Sequence, residues 1–310
     1  MRVDVIIPVY KPTEKLNQLL KALVTQTCKT NRIILLHTED GEELSWTKEV
    51  FHDTSITEIS IKVKQFDHGA TRDLGMQTSN ADVVVFMNQD AVPKDDRLLE
   101  NLVGALFQEE TIAVAYARQS AEQTSNEIEK YTRTFNYPEE SIVKSKADMS
   151  KLGIKTYFCS NVCAAYKKEI YQQLGGFEKK IIFNEDMVYA AKAIEDGYKI
   201  AYEANAVVLH GHDLTTLQLF KRNFDLGVSQ ACYPEIFEVV KSETEGIRLV
   251  KETAKHFIKR GKLFTIFEMV WKSGWKYIGY QLGKHYERLP RYLVKMFTMN
   301  LAYWEGENRR

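Results

Sequence analysis

The sequence predicts an α/β fold, in which a mostly parallel sheet is flanked by helices and followed by a helical C-terminal extension. Short, nearly continuous apolar runs recur through the first two thirds of the 310 residues, as strands covered on both faces require. Helical patterns of about 10–15 residues separate these runs, which indicates βαβ units. From about residue 215 onward, the strand pattern stops and helical patterns follow one another.

The strands are predicted in order along the chain. Residues 3–10 (VDVIIPVY) form the first, and residues 11–14 open a helix whose leucines recur at helical spacing. The following apolar runs are predicted as strands: 32–37, 57–63, 82–87, 111–116 and 200–209. The run at 82–87 (DVVVFM) is the most hydrophobic, so we expect it to be the most buried.

Charge is distributed unevenly, although the whole chain has 42 basic and 42 acidic side chains. From residue 241 onward there are 15 Lys and Arg against 7 Asp and Glu, and aromatic residues interleave with these cations from Phe264 to Trp304. Two interpretations stand: an interface with an anionic membrane, or a helical bundle packed on the rest of the chain or on a second subunit of a homodimer. The acidic first 240 residues argue against nucleic acid as a partner.

Cysteine usage and the N-terminus predict the compartment. Cys28, Cys159, Cys163 and Cys232 form no CxxC pair and no zinc-ligand spacing with histidine, so we expect reduced thiols in a cytoplasmic protein. The first residues lead directly into a strand and do not resemble a secretory signal. No apolar stretch reaches the ~18 residues that a membrane-spanning helix needs.

Candidate binding residues follow the predicted strands, because ligands of open α/β sheets bind outside the carboxyl ends of the strands. The polar residues at that edge are Tyr10, Thr38, Glu39, Asp40, residues 66–72, and Asn88, Gln89 and Asp90. Neither GxGxxG nor GxxxxGK[ST] occurs, which disfavours a dinucleotide cofactor and excludes a P-loop.

Two of these segments suit a diphosphate. Asp90 follows the most hydrophobic strand, where a carboxylate can hold Mg²⁺ or Mn²⁺ bridging two phosphates; its alternative role is to cap a helix starting near residue 93. His68, Gly69 and Arg72 combine backbone N–H groups with a cation at a helix start, which suits a pyrophosphate. The alternative there is an ordinary capped helix with a solvated arginine.

Two later segments carry candidate catalytic groups. Glu185 and Asp186 open a predicted helix after Asn184, where they could stabilise the helix dipole or deprotonate an attacking hydroxyl. His210 and His212 end the last strand and, being two residues apart, face the same side. They could complete a metal shell, bind phosphate or be structural histidines, and the residues alone leave these alternatives open.

Together these segments resemble the family 2 inverting glycosyltransferases of GT-A fold. The matching residues, in the family's order and spacing over about residues 1–215, are 6–10, 88–90, 174–177, 184–186, 197–198 and His210. Within the family the chain is similar to bacterial rhamnosyltransferases that use dTDP-L-rhamnose, through residues 66–72, 88–93, 158–161 and 210–212.

This resemblance implies a division of the chain and a set of roles. The catalytic domain would span 1–215, with a nucleotide-binding half at about 1–92 and an acceptor half at about 93–215, and the C-terminal region would span 216–310. Asp186, with Glu185 beside it, would be the catalytic base, and Asp90, His210 and His212 would hold Mg²⁺ or Mn²⁺. The donor-side residues would be Pro8, Tyr10, Thr38, Glu39, Asp40, His68, Gly69, Arg72, Asn88 and Gln89, and those on the acceptor side Asn161 and Asn184. In the family, an acidic residue after the second strand usually holds the nucleotide base, and it aligns here with either Glu39 or Asp40.

The implied reaction moves L-rhamnose from dTDP-L-rhamnose to a hydroxyl of a cell-surface polysaccharide or a polyprenyl-linked acceptor, at the inner face of the plasma membrane. Asp186 would take the hydroxyl proton, and attack from the face opposite dTDP would invert the anomeric configuration, since retention needs a second carboxylate as nucleophile. The alternatives are a UDP- or GDP-sugar donor and a non-catalytic, membrane-associated glycan-assembly module. A nucleotidyltransferase is disfavoured because residues 8–12 (PVYKP) replace its glycine-rich loop.

Overall fold

The computed structural model describes residues 1–39, 41, 55–211, 214–238 and 243–305. Strands and helices alternate as far as Leu209, and the described chain is helical beyond that point. Two of the predicted site residues, Asp40 and His212, lie outside the described residues.

Nine strands in the described part of the chain form one sheet. They are β1 (Val3–Val9), β2 (Arg32–Glu39), β3 (Ser55–Lys62), β4 (Val83–Met87), β5 (Val92–Pro93), β6 (Ile112–Ser120), β7 (Ile142–Lys144), β8 (Cys163–Lys167) and β9 (Lys199–Leu209). Their order is β3-β2-β1-β4-β8-β6-β9-β5, and β7 also pairs with β9. Six strands run in one direction while β5, β7 and β8 run against it, so the sheet is mostly parallel, as predicted.

The helices cover both faces of this sheet. Those within its span are α1 (Glu14–Val24), α2 (His68–Thr78), α3 (Leu98–Leu106), α4 (Glu127–Asn136), α5 (Met149–Leu152), α6 (Lys168–Gln173) and α7 (Glu185–Glu195). Those beyond it are α8 (Thr216–Cys232), α9 (Pro234–Phe237), α10 (Glu243–Ile258), α11 (Leu263–Lys284), α12 (Arg291–Phe297) and α13 (Leu301–Glu305). Leucines of α1 and α3 fill one core, and residues of α2, α6 and α7 fill the other.

The central strand β1 shows why its sequence is almost continuously apolar. Val5 and Ile7 pack in the core with α1 and α3, whereas Ile6 packs in the opposite core. Successive side chains of a strand point to opposite faces, and here both faces are covered. A strand in this position has no solvent-exposed face that would favour alternating polar residues.

Glycines bring α8 and α11 into close contact. A Cβ on Gly279 would overlap the carbonyl oxygen of Phe220, and a Cβ on Gly283 would overlap that of Phe224. The two backbones therefore approach more closely than larger residues allow. None of the described helices combines the length and apolarity needed to cross a bilayer.

Candidate functional site

The Gln89 side chain holds the end of β1 at the carboxyl edge of the sheet. Its Oε1 accepts a hydrogen bond from the backbone N–H of Tyr10 at 3.0 Å, and its Nε2 donates to the Tyr10 carbonyl at 2.8 Å. Gln89 thus replaces a strand partner for Tyr10, whose side chain stays 46% exposed. An exposed ring at this edge can stack on a nucleotide base.

The end of β2 offers a polar group that has no protein partner. Thr38 is buried, and its hydroxyl has no hydrogen-bond partner among the described residues. A buried hydroxyl is costly unless something satisfies it, so a ligand would be favoured here. Glu39 is exposed beside it, and Pro8 of β1 pairs with Leu36, two residues before Thr38.

The start of α2 packs against the segment that precedes α7. The Asp67 side chain accepts hydrogen bonds from the N–H groups of Ala70 at 2.7 Å and Ile181 at 3.0 Å. A Cβ on Gly69 would overlap the carbonyl oxygen of Glu178. Gly69 therefore has a packing reason to be glycine, and its predicted contact with phosphate stays a prediction.

His68 lies between two aromatic rings at this helix start. Its ring centroid is 5.1 Å from that of Phe66 and 6.3 Å from that of Phe183. Burial lowers the pKa of His68, and the negative charge of Glu185 opposes the shift. The neutral imidazole that results can donate or accept a hydrogen bond.

Arg72 and Glu185 form a buried ion pair that connects α2 to α7. Arg72 Nη1 lies 3.1 Å from Glu185 Oε1, and both side chains are 7% exposed. Arg72 Nη2 also donates to Asn88 Oδ1 at 3.4 Å, and Asn161 Nδ2 donates to Glu185 Oε1 at 3.1 Å. Burial alone would raise the pKa of Glu185, but the charges of Arg72 and His68 and the bond from Asn161 hold it below its ordinary value. Glu185 is therefore ionised and tied to Arg72.

Asp186 has a different environment, although it is the next residue. Its Oδ2 accepts a hydrogen bond from the Asn161 N–H at 2.9 Å, and its Oδ1 accepts one from the Met187 N–H at 2.8 Å. Burial first, and then the negative charge of Glu185, raise the pKa of Asp186 to about 7. A carboxyl with this pKa gains and loses its proton near neutral pH, as a general base must. Neighbouring carboxyls whose pKa values are pushed apart are typical of acid–base sites.

Asp90 follows β4 and faces His210 at the end of β9. Asp90 Oδ1 lies 3.5 Å from His210 Nε2, and 21% of the Asp90 side chain is exposed. His210 Nδ1 lies 3.2 Å from Arg133 Nη2 and 3.1 Å from Gln119 Oε1. His210 Nδ1 thus faces both a donor, the Arg133 guanidinium, and an acceptor, Gln119 Oε1, so either tautomer of the neutral ring finds a partner there. Burial and the charge of Arg133 lower the pKa of His210 despite Asp90.

The residues at Asp90 suit a divalent cation that arrives with a ligand. Among the described residues, no three His, Cys, Asp or Glu side chains form a cluster that could hold a metal by themselves. Asn88, two residues before Asp90, is bonded to Arg72. Asp90 nevertheless offers a partly exposed, hard oxygen ligand, and Mg²⁺ is commonly bound by one or two carboxylates and completed by phosphates and water.

The two predicted acceptor-side residues hold the start of α7 in place. Asn161 donates its backbone N–H to Asp186 and its side-chain Nδ2–H to Glu185. Its Oδ1 accepts a hydrogen bond from the Tyr166 hydroxyl at 2.7 Å. Asn184 caps α7 in the left-handed region, with φ of 66°, which asparagine tolerates better than most residues. Its Nδ2 donates to Ser229 Oγ of α8 at 3.4 Å. Direct contact of either residue with an acceptor stays a prediction.

Sequence reasoning missed three residues at the site: Gln119, Arg133 and Arg222. The Arg222 guanidinium of α8 lies 5.4 Å over the ring of Phe183, just before the catalytic segment. Its positive charge lowers the pKa of both His68 and His210, so it lies within electrostatic reach of both sides of the site. No local motif marks Arg222, because it reaches the site only through the packing of α8.

A cavity of about 300 Å³ opens between the end of β6 and α4. Polar side chains line most of it, among them Arg118, Gln119, Glu122, Lys130, Arg133 and Thr134. Gln119 Nε2 also donates to Ser160 Oγ at 2.9 Å, and Ser160 precedes Asn161, which binds both Glu185 and Asp186. The polar side chains of this cavity suit a ligand rich in hydroxyl groups.

Comparisons with known proteins agree with this geometry. The model of glycosyl transferase family 2 matches residues 4–175. The chain is 38% identical over 308 residues to the O-antigen chain rhamnosyltransferase RfbN of Salmonella typhimurium, covering 99% of this chain and 97% of the relative. It is 35% identical over 304 residues to the O-antigen chain rhamnosyltransferase WbaN of Salmonella anatum, covering 97% and 95% respectively.

A solved structure supports the fold independently. The mannosyltransferase PcManGT from Pyrobaculum calidifontis, in complex with GDP-Man and Mn²⁺, matches with a TM-score of 0.54 and 16% sequence identity over 98% of this chain and 86% of that one. The family match covers more than half of the chain, from β1 to the end of α6, and the similarity to RfbN continues through the C-terminal helices. This chain therefore belongs to glycosyltransferase family 2 and is a glycosyltransferase of GT-A fold.

Proposed function

We propose that this glycosyltransferase transfers L-rhamnose from dTDP-L-rhamnose to a hydroxyl of a growing O-antigen polysaccharide, carried on a polyprenyl-linked or oligosaccharide acceptor. Near-full-length similarity to two O-antigen chain rhamnosyltransferases supports the sugar and the polymer. The observation that carries the mechanism is the buried Asp186, whose pKa is raised to about 7 beside an ionised Glu185.

Asp186 takes the proton of the acceptor hydroxyl while that oxygen attacks the anomeric carbon. Asn161 holds Asp186 through its N–H, so the carboxylate is oriented before the acceptor arrives. Glu185 is buried, and its Oε1 is bound by Arg72 and Asn161, which disfavours a role as a second nucleophile. A single base without a nucleophilic partner supports one displacement and therefore inversion.

The donor occupies the carboxyl edge of the sheet in this proposal. Tyr10, Thr38 and Glu39 hold the nucleotide, with Pro8, Gln89 and the undescribed Asp40 beside them. The start of α2, with His68, Gly69 and Arg72, lies next to the diphosphate, and Asn88 holds Arg72 there. The division at residue 215 separates this catalytic domain from the C-terminal region, in which α8 begins at Thr216.

A divalent cation, Mg²⁺ or Mn²⁺, would neutralise negative charge on the leaving diphosphate when bound. Asp90 would hold it, because its carboxylate is partly exposed at the strand end. His210, whose Nε2 lies 3.5 Å from Asp90 Oδ1, would orient that carboxylate when Nε2 carries the proton. Direct ligation by His210, or by His212 outside the described residues, stays a prediction.

The C-terminal region docks the enzyme on the cytoplasmic face of an anionic membrane in this proposal. One side of α11 exposes large apolar side chains, each 46–83% exposed: Leu263, Phe264, Phe267, Val270, Trp271, Tyr277 and Ile278. An apolar face of this extent marks an interaction surface. Exposed Lys259 and Arg260 precede it, and the basic charge of the region would repel the same face of a second subunit but attract anionic lipid. A homodimer through this face is the alternative.

The transfer assay uses the purified full chain with Mn²⁺, dTDP-L-rhamnose and a polyprenyl-diphosphate-linked oligosaccharide. Asp186→Asn is expected to lower the transfer rate by roughly 10²–10⁴-fold while leaving dTDP affinity intact, and the wild-type rate should rise with pH through a value near 7. Asp196→Asn, at the exposed end of α7, is the matched control and should transfer normally.

Two results would contradict the proposal. Unchanged transfer by Asp186→Asn would remove this residue as the base. Thermal stabilisation of the wild-type chain by UDP or GDP, but not by dTDP, would indicate that the donor is a UDP- or GDP-sugar.

A further inference from the structure

Three helices carry cations that lie within electrostatic reach of one another beside the site. Arg133 comes from α4, Arg222 from α8 and Lys276 from α11. Arg133 Nη2 lies 3.2 Å from His210 Nδ1, and His210 in turn faces Asp90 at 3.5 Å. Arg133 is thus connected to Asp90 through His210.

Packing against the catalytic segment fixes the position of Arg222. Its guanidinium lies 5.4 Å over the ring of Phe183, and Phe183 contacts the ring of His68 at 6.3 Å. Ser229, on the same helix, donates from its Oγ to the Phe183 carbonyl at 2.5 Å. Arg222 is therefore held against Phe183, and its charge acts on both His68 and His210.

Arg222 and Lys276 lack the carboxylate partners that most nearby cations have. No described carboxylate lies within 4.0 Å of either, whereas Lys272, one turn before Lys276, lies 2.7 Å from Glu268. Burial first and the charge of Arg133 next lower the pKa of Arg222. Lys276 is exposed as a residue, but desolvation by the surrounding protein, and then the charge of Arg222, lower its pKa. Asp90 and Glu129 offset part of this repulsion, and grouping the three cations still costs free energy that a bound anion would relieve.

We propose that Arg222 and Lys276, together with Arg133, bind a diphosphate group at the mouth of the active site. Three cations on separate helices match an extended anion with several charges better than a single carboxylate. The inference rests on the proposed function for the source of this group, which is either the diphosphate of the nucleotide-sugar donor or a diphosphate linking the acceptor to its lipid. The C-terminal helices thereby complete the binding site of the catalytic domain.

The first test uses inorganic pyrophosphate as the probe and calorimetry on the purified full chain, with and without Mn²⁺. Arg222→Gln and Lys276→Gln are each expected to weaken pyrophosphate binding about tenfold, because each removes a charge-assisted contact. Arg222→Lys should bind more tightly than Arg222→Gln but less tightly than wild type, since lysine keeps the charge but lacks the paired N–H donors of the guanidinium. Lys251→Gln, an exposed cation on α10, is the matched control. Lys276 lies on the surface, so its variant should fold even if Arg222→Gln does not.

The outcomes test the diphosphate site and the proposed function separately. Pyrophosphate binding that is absent in the wild type, or equal in all variants, overturns the inference. Pyrophosphate carries neither base nor sugar, so a chain that binds it through Arg222 yet never transfers rhamnose would overturn the proposed function alone. Weaker dTDP but unchanged thymidine binding in Arg222→Gln assigns the cations to the donor. Unchanged dTDP binding with a raised KM for the lipid-diphosphate acceptor assigns them to the acceptor.

Discussion

At the scale of single residues, Asp186 and Glu185 show how neighbouring carboxyls acquire different chemistry. Glu185 faces the guanidinium of Arg72, whereas Asp186 receives two backbone N–H groups and the repulsion of Glu185. The ion pair keeps Glu185 charged, and that charge in turn raises the pKa of Asp186 to about 7. In the proposed mechanism, Arg72 therefore acts on the base through Glu185, as a positioning residue.

The raised pKa of Asp186 predicts a pH-dependent effect on stability. An acid whose folded pKa exceeds its unfolded value contributes stability below the unfolded value, and this is lost as pH rises through the folded one. For Asp186 that window runs from the ordinary value of 3.8 to about 7. The free energy of unfolding of Asp186→Asn, taken relative to wild type at the same pH, should therefore be about 2 kcal/mol higher at pH 8 than at pH 5.

Urea unfolding at the two pH values measures this difference. Asp196→Asn serves as the control and should unfold like the wild type at both. A difference of the opposite sign for Asp186→Asn would mean that the folded protein favours the charged carboxylate, and the general-base assignment would lose its electrostatic basis.

The Arg72–Glu185 pair predicts a large cost for removing one partner. Arg72→Gln leaves Glu185 buried without its cation, which should destabilise the fold by about 3–5 kcal/mol. The double variant Arg72→Gln/Glu185→Gln removes both charges and should lose less than the single variant. Arg97→Gln, from an exposed pair with Glu100, should leave the free energy of unfolding unchanged. A double-variant loss equal to the sum of the separate Arg72→Gln and Glu185→Gln losses would show that the pair is not coupled.

At the scale of elements, some bounds differ from those that the apolar pattern predicts. The strand predicted to end at Tyr116 continues as β6 to Ser120, because β9 pairs alongside as far as Leu209. Its polar Gln119 is buried against Ser160 and Tyr137. The helix expected near residue 93 begins at Leu98 as α3, because residues 92–93 pair with β9 as β5. Polar partners thus stabilise strand residues beyond the point where the apolar pattern predicts that the strand ends.

The contact between α8 and α11 predicts opposite effects for two glycine substitutions on one helix. Gly279→Ala must separate the helices, because its Cβ would overlap the Phe220 carbonyl, at a cost of about 1–3 kcal/mol. Gly274→Ala points into open space and should stabilise the helix by roughly 0.5–1 kcal/mol. Thermal unfolding of both variants tests the contact, and a stabilised Gly279→Ala would mean that the two helices can move apart at no cost.

At the scale of the whole molecule, two sides of α11 have different surroundings. Met269, Gly279 and Gly283 are buried on one side, and the exposed apolar residues cover the other. Lys276 lies within electrostatic reach of Arg222 on α8, whose charge lowers its pKa. If α11 docks on lipid, the same helix brings the active site close to the membrane surface, where a polyprenyl-linked acceptor is anchored.

The membrane proposal predicts binding that depends on both apolar residues and charge. The full chain should float with vesicles of phosphatidylcholine containing roughly a third phosphatidylglycerol, and less with phosphatidylcholine alone or in high salt. Phe264→Ser/Phe267→Ser should abolish flotation. Phe107→Ser, which replaces a half-exposed phenylalanine just after α3, is the matched control. Absence of flotation, together with a wild-type dimer in sedimentation that the double variant abolishes, would assign the face to a second subunit.

The sequence by itself determined the mostly parallel α/β fold, the helical C-terminal region and the family. These follow from patterns that are local in the chain: apolar runs, helical spacing, polar residues at strand ends, and motifs in a recognisable order. A strand covered on both faces must be apolar wherever it lies, so its sequence reveals it without knowledge of its neighbours. The short antiparallel β8 escaped this reasoning because its direction depends on β4 and β6 at its sides.

Only the tertiary structure decided what the individual site residues do. Arg72 was predicted beside the nucleotide, and its role as partner of Glu185 appears only when α2 and α7 pack together. Arg222 carries no motif, and it reaches the site because α8 folds back against Phe183. Charge interactions depend on distance and burial, which arise from chain segments that are far apart in sequence. The raised pKa of Asp186 could therefore not be read from residues 184–186 alone.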